Sequence, residues 1–142
     1  MNIDAAVLAG GLSSRMNYSD KSQLSYKGRT FIENIISQLI DFNNVLIISN
    51  NRQDYFSGIN AAIHCDIFKE IGPLGGIHSA LTNSSAEHVF ITTCDMPLIK
   101  KENILQICTY TDFDIVIPVI NGKFEMLFAL YSKKCLPQIE KM

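Results

Sequence analysis

An apolar run from Ala5 to Ala9 breaks abruptly into Gly10, Gly11, Leu12, Ser13, Ser14 and Arg15, and Lys21 follows shortly after. Glycines carry no Cβ, so their backbone N–H groups can turn inward and approach phosphate oxygens closely. Arg15 and Lys21 would neutralise the charge that such a loop cradles. As a unit these residues suit a nucleoside triphosphate. Taken singly they also describe a tight strand-to-helix turn and an exposed loop lysine. Two common phosphate motifs are missing: neither Lys21 nor Lys27 follows a glycine as G-x-x-x-x-G-K-[ST] requires, and there is no G-x-G-x-x-G. Generic ATPase and dinucleotide chemistries are disfavoured accordingly.

Asp95 is the strongest catalytic candidate. It follows the apolar run Val89 to Thr93 and precedes Pro97. A carboxylate held there suits Mg²⁺, which takes hard oxygen ligands and keeps waters and substrate phosphates in its shell. The metal would stabilise charge on a departing pyrophosphate. The other role open to Asp95 is capping the next helix. Asp66 occupies a similar place after a weaker strand, where it either accepts from a guanine edge or ribose hydroxyl or begins a turn. The segment Gly72-Pro73-Leu74-Gly75-Gly76 reads as a second glycine-rich loop whose backbone, Gly75 included, can lie against a base. His64, His78 and His88 lack metal-ligand spacing and read as strand-end and helix-surface residues.

These residues need elements to hold them. Short apolar runs alternate with helical patterns, which predicts strand–helix–strand units and a mainly parallel sheet. Strands are expected over Ile3 to Ala9, Val45 to Ile48, Ala62 to Cys65, Val89 to Thr93 and Asp114 to Val119, with an extended segment from Phe124 to Tyr131. Thr30 and Glu33 form a capping box ahead of a helix whose apolar face is Ile32, Ile35, Ile36, Leu39 and Ile40. Further helices are predicted from Ile77 to Thr82, Lys101 to Tyr110 and Lys133 to Lys141. The Gly10-Gly11 loop, Asn50-Asn51-Arg52, Asp66 and Asp95 each fall just past the carboxyl end of a strand, the edge where open α/β sheets bind ligands.

Composition agrees with this picture. The 142 residues fit one domain, and 47% hydrophobic against 18% charged residues implies a large core. A net charge of −2 argues against nucleic acid as partner. The four cysteines, Cys65, Cys94, Cys108 and Cys135, form no C-x-x-C pair and read as reduced core residues of a cytoplasmic protein. No run approaches membrane-spanning length, so no membrane partner is expected.

Leu8-Ala9-Gly10-Gly11-Leu12-Ser13-Ser14-Arg15-Met16, with Asp20-Lys21 beyond it, resembles the L-A-G-G-x-S-x-R-M-G-x-x-x-D-K signature of the molybdenum cofactor guanylyltransferases. Gly72-Pro73-Leu74-Gly75-Gly76 resembles that family's G-P-L-x-G, Cys94-Asp95-Met96-Pro97 its C-D-x-P, and Phe128-Ala129-Leu130-Tyr131 its F-A-L-Y. The resemblance implies a three-layer, mostly parallel twisted sheet with helices on both faces, of the Rossmann-like nucleotide-diphospho-sugar transferase type. It implies transfer of GMP from GTP to molybdopterin with release of pyrophosphate and use of Mg²⁺. Transient contacts with other cofactor-biosynthesis proteins or molybdoenzymes are implied as well. By the same resemblance Leu8, Ala9, Gly10 and Gly11 contact the nucleotide, Lys21 its phosphates, and Asp66 and Asp95 the GTP site, with Asp95 on the metal. The family's asparagine after the second strand falls on Ser49 or Asn50. Three departures stand out: Asn17 replaces a glycine, Glu125-Met126 replaces a His-Pro, and Met142 is an earlier end than the family's, so its C-terminal part is expected to be missing. A related CTP or sugar-phosphate nucleotidyltransferase is the alternative, although such enzymes read L-A-A-G; another is a shortened, non-catalytic nucleotide-binding protein.

Overall fold

A computed structural model describes residues 2–9, 25–26, 29–49, 61–65, 72–93, 96 and 100–142. In chain order the elements are β1 (Ile3–Leu8), β2 (Ser25–Tyr26), β3 (Arg29–Thr30), α1 (Phe31–Ser37), β4 (Val45–Ile48), β5 (Ala62–His64), α2 (Pro73–Asn83), β6 (His88–Thr93), α3 (Lys101–Ile107), β7 (Ile115–Val116), β8 (Val119–Ile120), β9 (Lys123–Phe124), β10 (Ala129–Ser132) and α4 (Leu136–Glu140). Six strands form the main sheet in the order β5-β4-β1-β6-β10-β7. β5, β4, β1 and β6 run parallel, while β10 is antiparallel to both β6 and β7.

β1 carries small apolar residues on both faces because both are covered. Ala5, Val7 and Ala9 pack with Ile32 and Ile35 of α1 and Ile104 and Ile107 of α3. Ala6, one step out of phase, packs with Ile77, Ala80 and Leu81 of α2 and Ile139 of α4. This is the expected three-layer arrangement. Phe90 anchors the α1/α3 side, stacked on Phe42 at 6.1 Å and edge-on to Phe128 at 5.1 Å. Asp4, only 1% exposed, accepts hydrogen bonds from Ser84 Oγ at 2.6 Å and Asn44 Nδ2 at 3.3 Å. It fastens the start of β1 to the segments entering β4 and leaving α2.

Several elements differ from expectation. α1 stops at Ser37, whose Oγ bonds back to the Asn34 carbonyl at 2.6 Å, and the chain tightens into three-residue turns. Leu39 stays buried, but Ile40 leaves the predicted apolar face and is 70% exposed. α2 begins at Pro73, four residues earlier than predicted, because Gly72 adopts a φ of 67° ahead of a proline already set for the first helical position. Gly75 and Gly76 are thus helical, not loop residues. Pro118 lacks an N–H and cuts the predicted strand from Asp114 to β7 alone. Asn121 (φ 52°) and Gly122 (φ 78°) then turn the chain into the β8–β9 hairpin. α3 ends at Ile107, and the last helix divides into a 3-10 turn over Lys133–Cys135 and α4. Cys65 is exposed, whereas Cys108 is buried, and His78 is buried in α2 rather than on a helix surface.

Candidate active site

The carboxyl ends of the four parallel strands fall on one line. Leu8 pairs with Ile48 on one side and Thr93 on the other, and Ile48 pairs with His64. The ladder extends one residue past the strands, with Ala9 N–H donating to the Ile48 carbonyl and Ser49 N–H to the His64 carbonyl, both at 2.8 Å. Four connecting segments therefore depart from a common rim. Gly10, Gly11, Arg15, Lys21, Asn50, Asp66 and Asp95, all predicted site residues, lie on those segments and outside the described residues. Their flanking strand residues are held in register.

Chain direction places a crevice at this rim. After β1 the chain crosses through α1 to β4 on one side; after β6 it passes through α3 to β7 on the other. Such a reversal between adjacent strands, here β1 and β6, opens the sheet edge to a ligand. Of the predicted contacts that are described, Leu8 is half-buried, while Ala9 and Ser49 are 2% and 1% exposed. With both amides spent on the ladder, Ala9 and Ser49 form a buried wall of the rim.

α2 brings its first turn against this wall. A Cβ on Gly76 would lie 3.0 Å from both Cδ atoms of Leu8, so glycine is what allows the helix to seat on the end of β1. Gly75 is buried in that turn, its N–H bonded to the Gly72 carbonyl at 3.1 Å. The turn has no acidic residue and no side-chain cap, and its partial positive charge favours an anion nearby.

Anchors that sequence reading missed hold the flanks of the undescribed segments. Ser79 Oγ, fully buried in α2, donates to the Cys65 carbonyl at 2.8 Å and fixes the chain just before Asp66. Gln38 Oε1 accepts from Lys101 N–H at 3.0 Å, and Lys101 Nζ pairs with Asp41 at 2.5 Å, tying the start of α3 to the end of α1. Thr92 Oγ1 donates to Met96 Sδ at 3.8 Å. The partners are 63 residues apart in one case, and no local pattern announces them.

Neither Cys108 nor Cys135 is primed for nucleophilic work. Burial pushes Cys108 up to about 12 and also raises Cys135, so both stay protonated near neutrality. Among the described residues no group of three or more His, Cys, Asp or Glu could hold a metal ion, and no helix is long and apolar enough to cross a membrane.

Residues 5–142 match the MobA-like NTP transferase domain family. A probable molybdenum cofactor guanylyltransferase of Clostridium perfringens (strain SM101 / Type A) is 41% identical over 138 residues, covering 96% of this chain and 69% of that protein. The crystal structure of molybdopterin-guanine dinucleotide biosynthesis protein A from Archaeoglobus fulgidus superposes with a TM-score of 0.78 at 24% identity, covering 97% of this chain and 71% of its own. A Mycobacterium tuberculosis protein solved in complex with manganese shares the fold at a TM-score of 0.78 and 12% identity, covering 100% of this chain and 77% of its own. The mixed, mostly parallel sheet and its two helical layers are those of the nucleotidyltransferase fold. The chain belongs to the MobA-like NTP transferase domain family, and it is an enzyme of the nucleotidyltransferase type related to the molybdenum cofactor guanylyltransferases.

Proposed function

We propose that this protein transfers GMP from GTP to molybdopterin and releases pyrophosphate. The observation that supports the reading best is the shared line on which β1, β4, β5 and β6 end, since every segment with a predicted nucleotide contact departs from it. Leu8 to Gly11 and the first turn of α2 around Gly75 would wrap the nucleotide. Ser49 or Asn50 would contact it from β4, and Asp66 would accept from the guanine edge or the ribose. Arg15 and Lys21 would offset phosphate charge. A phosphate oxygen of molybdopterin would attack the α-phosphorus of GTP, forming one P–O bond as the bond to the β-phosphate breaks. Positioning and electrostatics supply most of the acceleration in such a step.

Asp95 would hold Mg²⁺. One carboxylate joined by substrate phosphates and waters is a donor set this ion accepts, and that is the set Asp95 would offer. The ion would screen the phosphates and the charge that develops on pyrophosphate. We assign the work to the cytoplasm, with transient contacts to other cofactor-biosynthesis proteins or to the recipient molybdoenzyme, and treat residues 1–142 as one nucleotidyltransferase-like unit.

Pyrophosphate release from purified protein, GTP, Mg²⁺ and molybdopterin tests the reading. Asp95→Ala should abolish turnover and Lys21→Ala should leave a low residual rate. Full turnover in Asp95→Ala would refute the metal assignment. Thermal stabilisation by CTP but not by GTP would refute the choice of nucleotide.

A further inference from the structure

Residues 66–71 lie outside the described residues, yet both of their flanks are fastened to one helix. On the near side, Cys65 follows β5 one step past the rim, and its carbonyl accepts from Ser79 Oγ at 2.8 Å. On the far side, Gly72 is the N-cap of α2, and its carbonyl accepts from Gly75 N–H at 3.1 Å. Ser79 stands about two turns, roughly 10 Å, beyond Gly72 on the helix axis. The chain thus departs from beside α2 and re-enters at the first turn of that same helix. Such a connection takes its end points from α2, and α2 in turn is seated on β1 through Gly76 and Leu8.

The Ser79 hydroxyl is committed away from its own helix. A serine inside a helix commonly bonds back to the carbonyl four residues earlier. Ser79 Oγ instead reaches a carbonyl 14 positions away in the chain, and the residue is fully buried. Asn83, one turn later on the same face, donates from Nδ2 to Ser79 Oγ at 3.3 Å and to the Ser79 carbonyl at 2.8 Å. A hydroxyl has a single proton to give. With Asn83 donating to its oxygen, that proton is directed at Cys65. The exposed Asn83 side chain therefore orients a buried tether whose far end is the residue before Asp66.

We propose that Ser79, oriented by Asn83, is a positioning residue for nucleotide choice: by tying Cys65 to α2 it joins the segment that carries Asp66 to the helix whose first turn holds Gly75. The inference rests on the guanylyltransferase reading for the nucleotide and for Asp66 as one of its contacts; Ser79 and Asn83 act only through that contact. Equilibrium binding of GTP, ITP and 2′-deoxy-GTP, each with Mg²⁺, is measured for the full chain and its variants. ITP lacks the 2-amino group of guanine, and 2′-deoxy-GTP lacks a ribose hydroxyl. Whichever preference for GTP is removed by Asp66→Ala, Ser79→Ala should reduce about tenfold and Asn83→Ala, at an exposed position, about threefold. Ser79→Ala combined with Asp66→Ala should lose nothing beyond Asp66→Ala alone. Ala80→Gly, at the next buried position of α2, is the control for destabilisation: it should lower the melting temperature and leave the preference unchanged. Amide exchange of the peptide spanning residues 62–72 should quicken at least about fivefold more in Ser79→Ala than in Ala80→Gly. Preferences untouched by Asp66→Ala or by Ser79→Ala, losses that add in full in the combined variant, or an equal loss in Ala80→Gly would each overturn the proposal. If the parent protein binds no GTP, the guanylyltransferase reading fails instead, and the exchange comparison still decides whether Ser79 holds the segment.

Discussion

Gly76→Ala perturbs the contact that seats α2 on the end of β1, and two opposing effects decide its outcome. Replacing an interior helical glycine by alanine favours the helix by about 1 kcal/mol. The new methyl would meet both Cδ atoms of Leu8 at 3.0 Å and its Cγ at 3.4 Å. Crowding of that kind typically costs about 1–3 kcal/mol. The net expectation is a loss of about 1 kcal/mol, or about 3 °C in melting temperature for a chain of this length. The sign should reverse when Leu8 is shortened. In a Leu8→Ala background the same methyl enters vacated space, and Gly76→Ala should stabilise by up to about 1 kcal/mol. Urea denaturation of the four proteins in this cycle measures the coupling directly. If Gly76→Ala stabilises the parent protein as much as it stabilises Leu8→Ala, the close approach of α2 to Leu8 is wrong. A weaker GTP thermal shift should accompany the single variant, because α2 then sits away from the rim.

Two further predictions concern the body of the fold. Asp4→Ala leaves Ser84 Oγ and Asn44 Nδ2 without their acceptor and should destabilise by about 1–3 kcal/mol in urea denaturation, with the GTP shift preserved; a cost below about 0.5 kcal/mol would contradict its role as a fastening. Burial raises Cys108 from 9.0 to about 12, and burial followed by the neighbouring Cys135 raises Tyr131 from 10.0 to about 12. Each group holds its proton more tightly when folded, so stability is intact below pH 9.0 and falls as pH rises towards about 12. The slope in that window should approach about 1.4 kcal/mol per pH unit for each group, and Cys108→Ala should remove its share. Denaturation curves that do not shift across this range would contradict both burials.

The sheet was largely legible because its strands are continuous apolar runs covered on both faces, as at Val45–Ile48 and His88–Thr93. Periodicity also gave the buried Ile32 and Ile35 of α1 and Leu39 just past its end correctly, but it continued to Ile40 because it cannot register a helix that tightens and stops. The glycines around Gly75 suggested a loop, and the decisive residues were instead Gly72 and Pro73, which start a helix there. The strands expected to carry candidate residues beyond their carboxyl ends do finish in register at Leu8, Ile48, His64 and Thr93, while Gly10, Asn50, Asp66 and Asp95 lie outside the described residues. What could not be read was how the intervening segments are tethered. Gln38 meets Lys101, and Ser79 meets the carbonyl of Cys65, through contacts that only the folded topology creates.

Strands that finish on a common line make chain length, more than residue identity, the quantity under constraint. Each residue advances a strand by about 3.3 Å and reverses the face of every side chain beyond it. Deleting one residue within β4 would retract the departure point of Asn50 by that distance and turn Leu46 and Ile48 towards the wrong helical layer. Deletions in the connecting segments carry no such penalty. Insertions and deletions should accordingly be confined to the segments beyond Leu8, Ile48, His64 and Thr93, and a change in what the rim binds can arise there without disturbing the sheet.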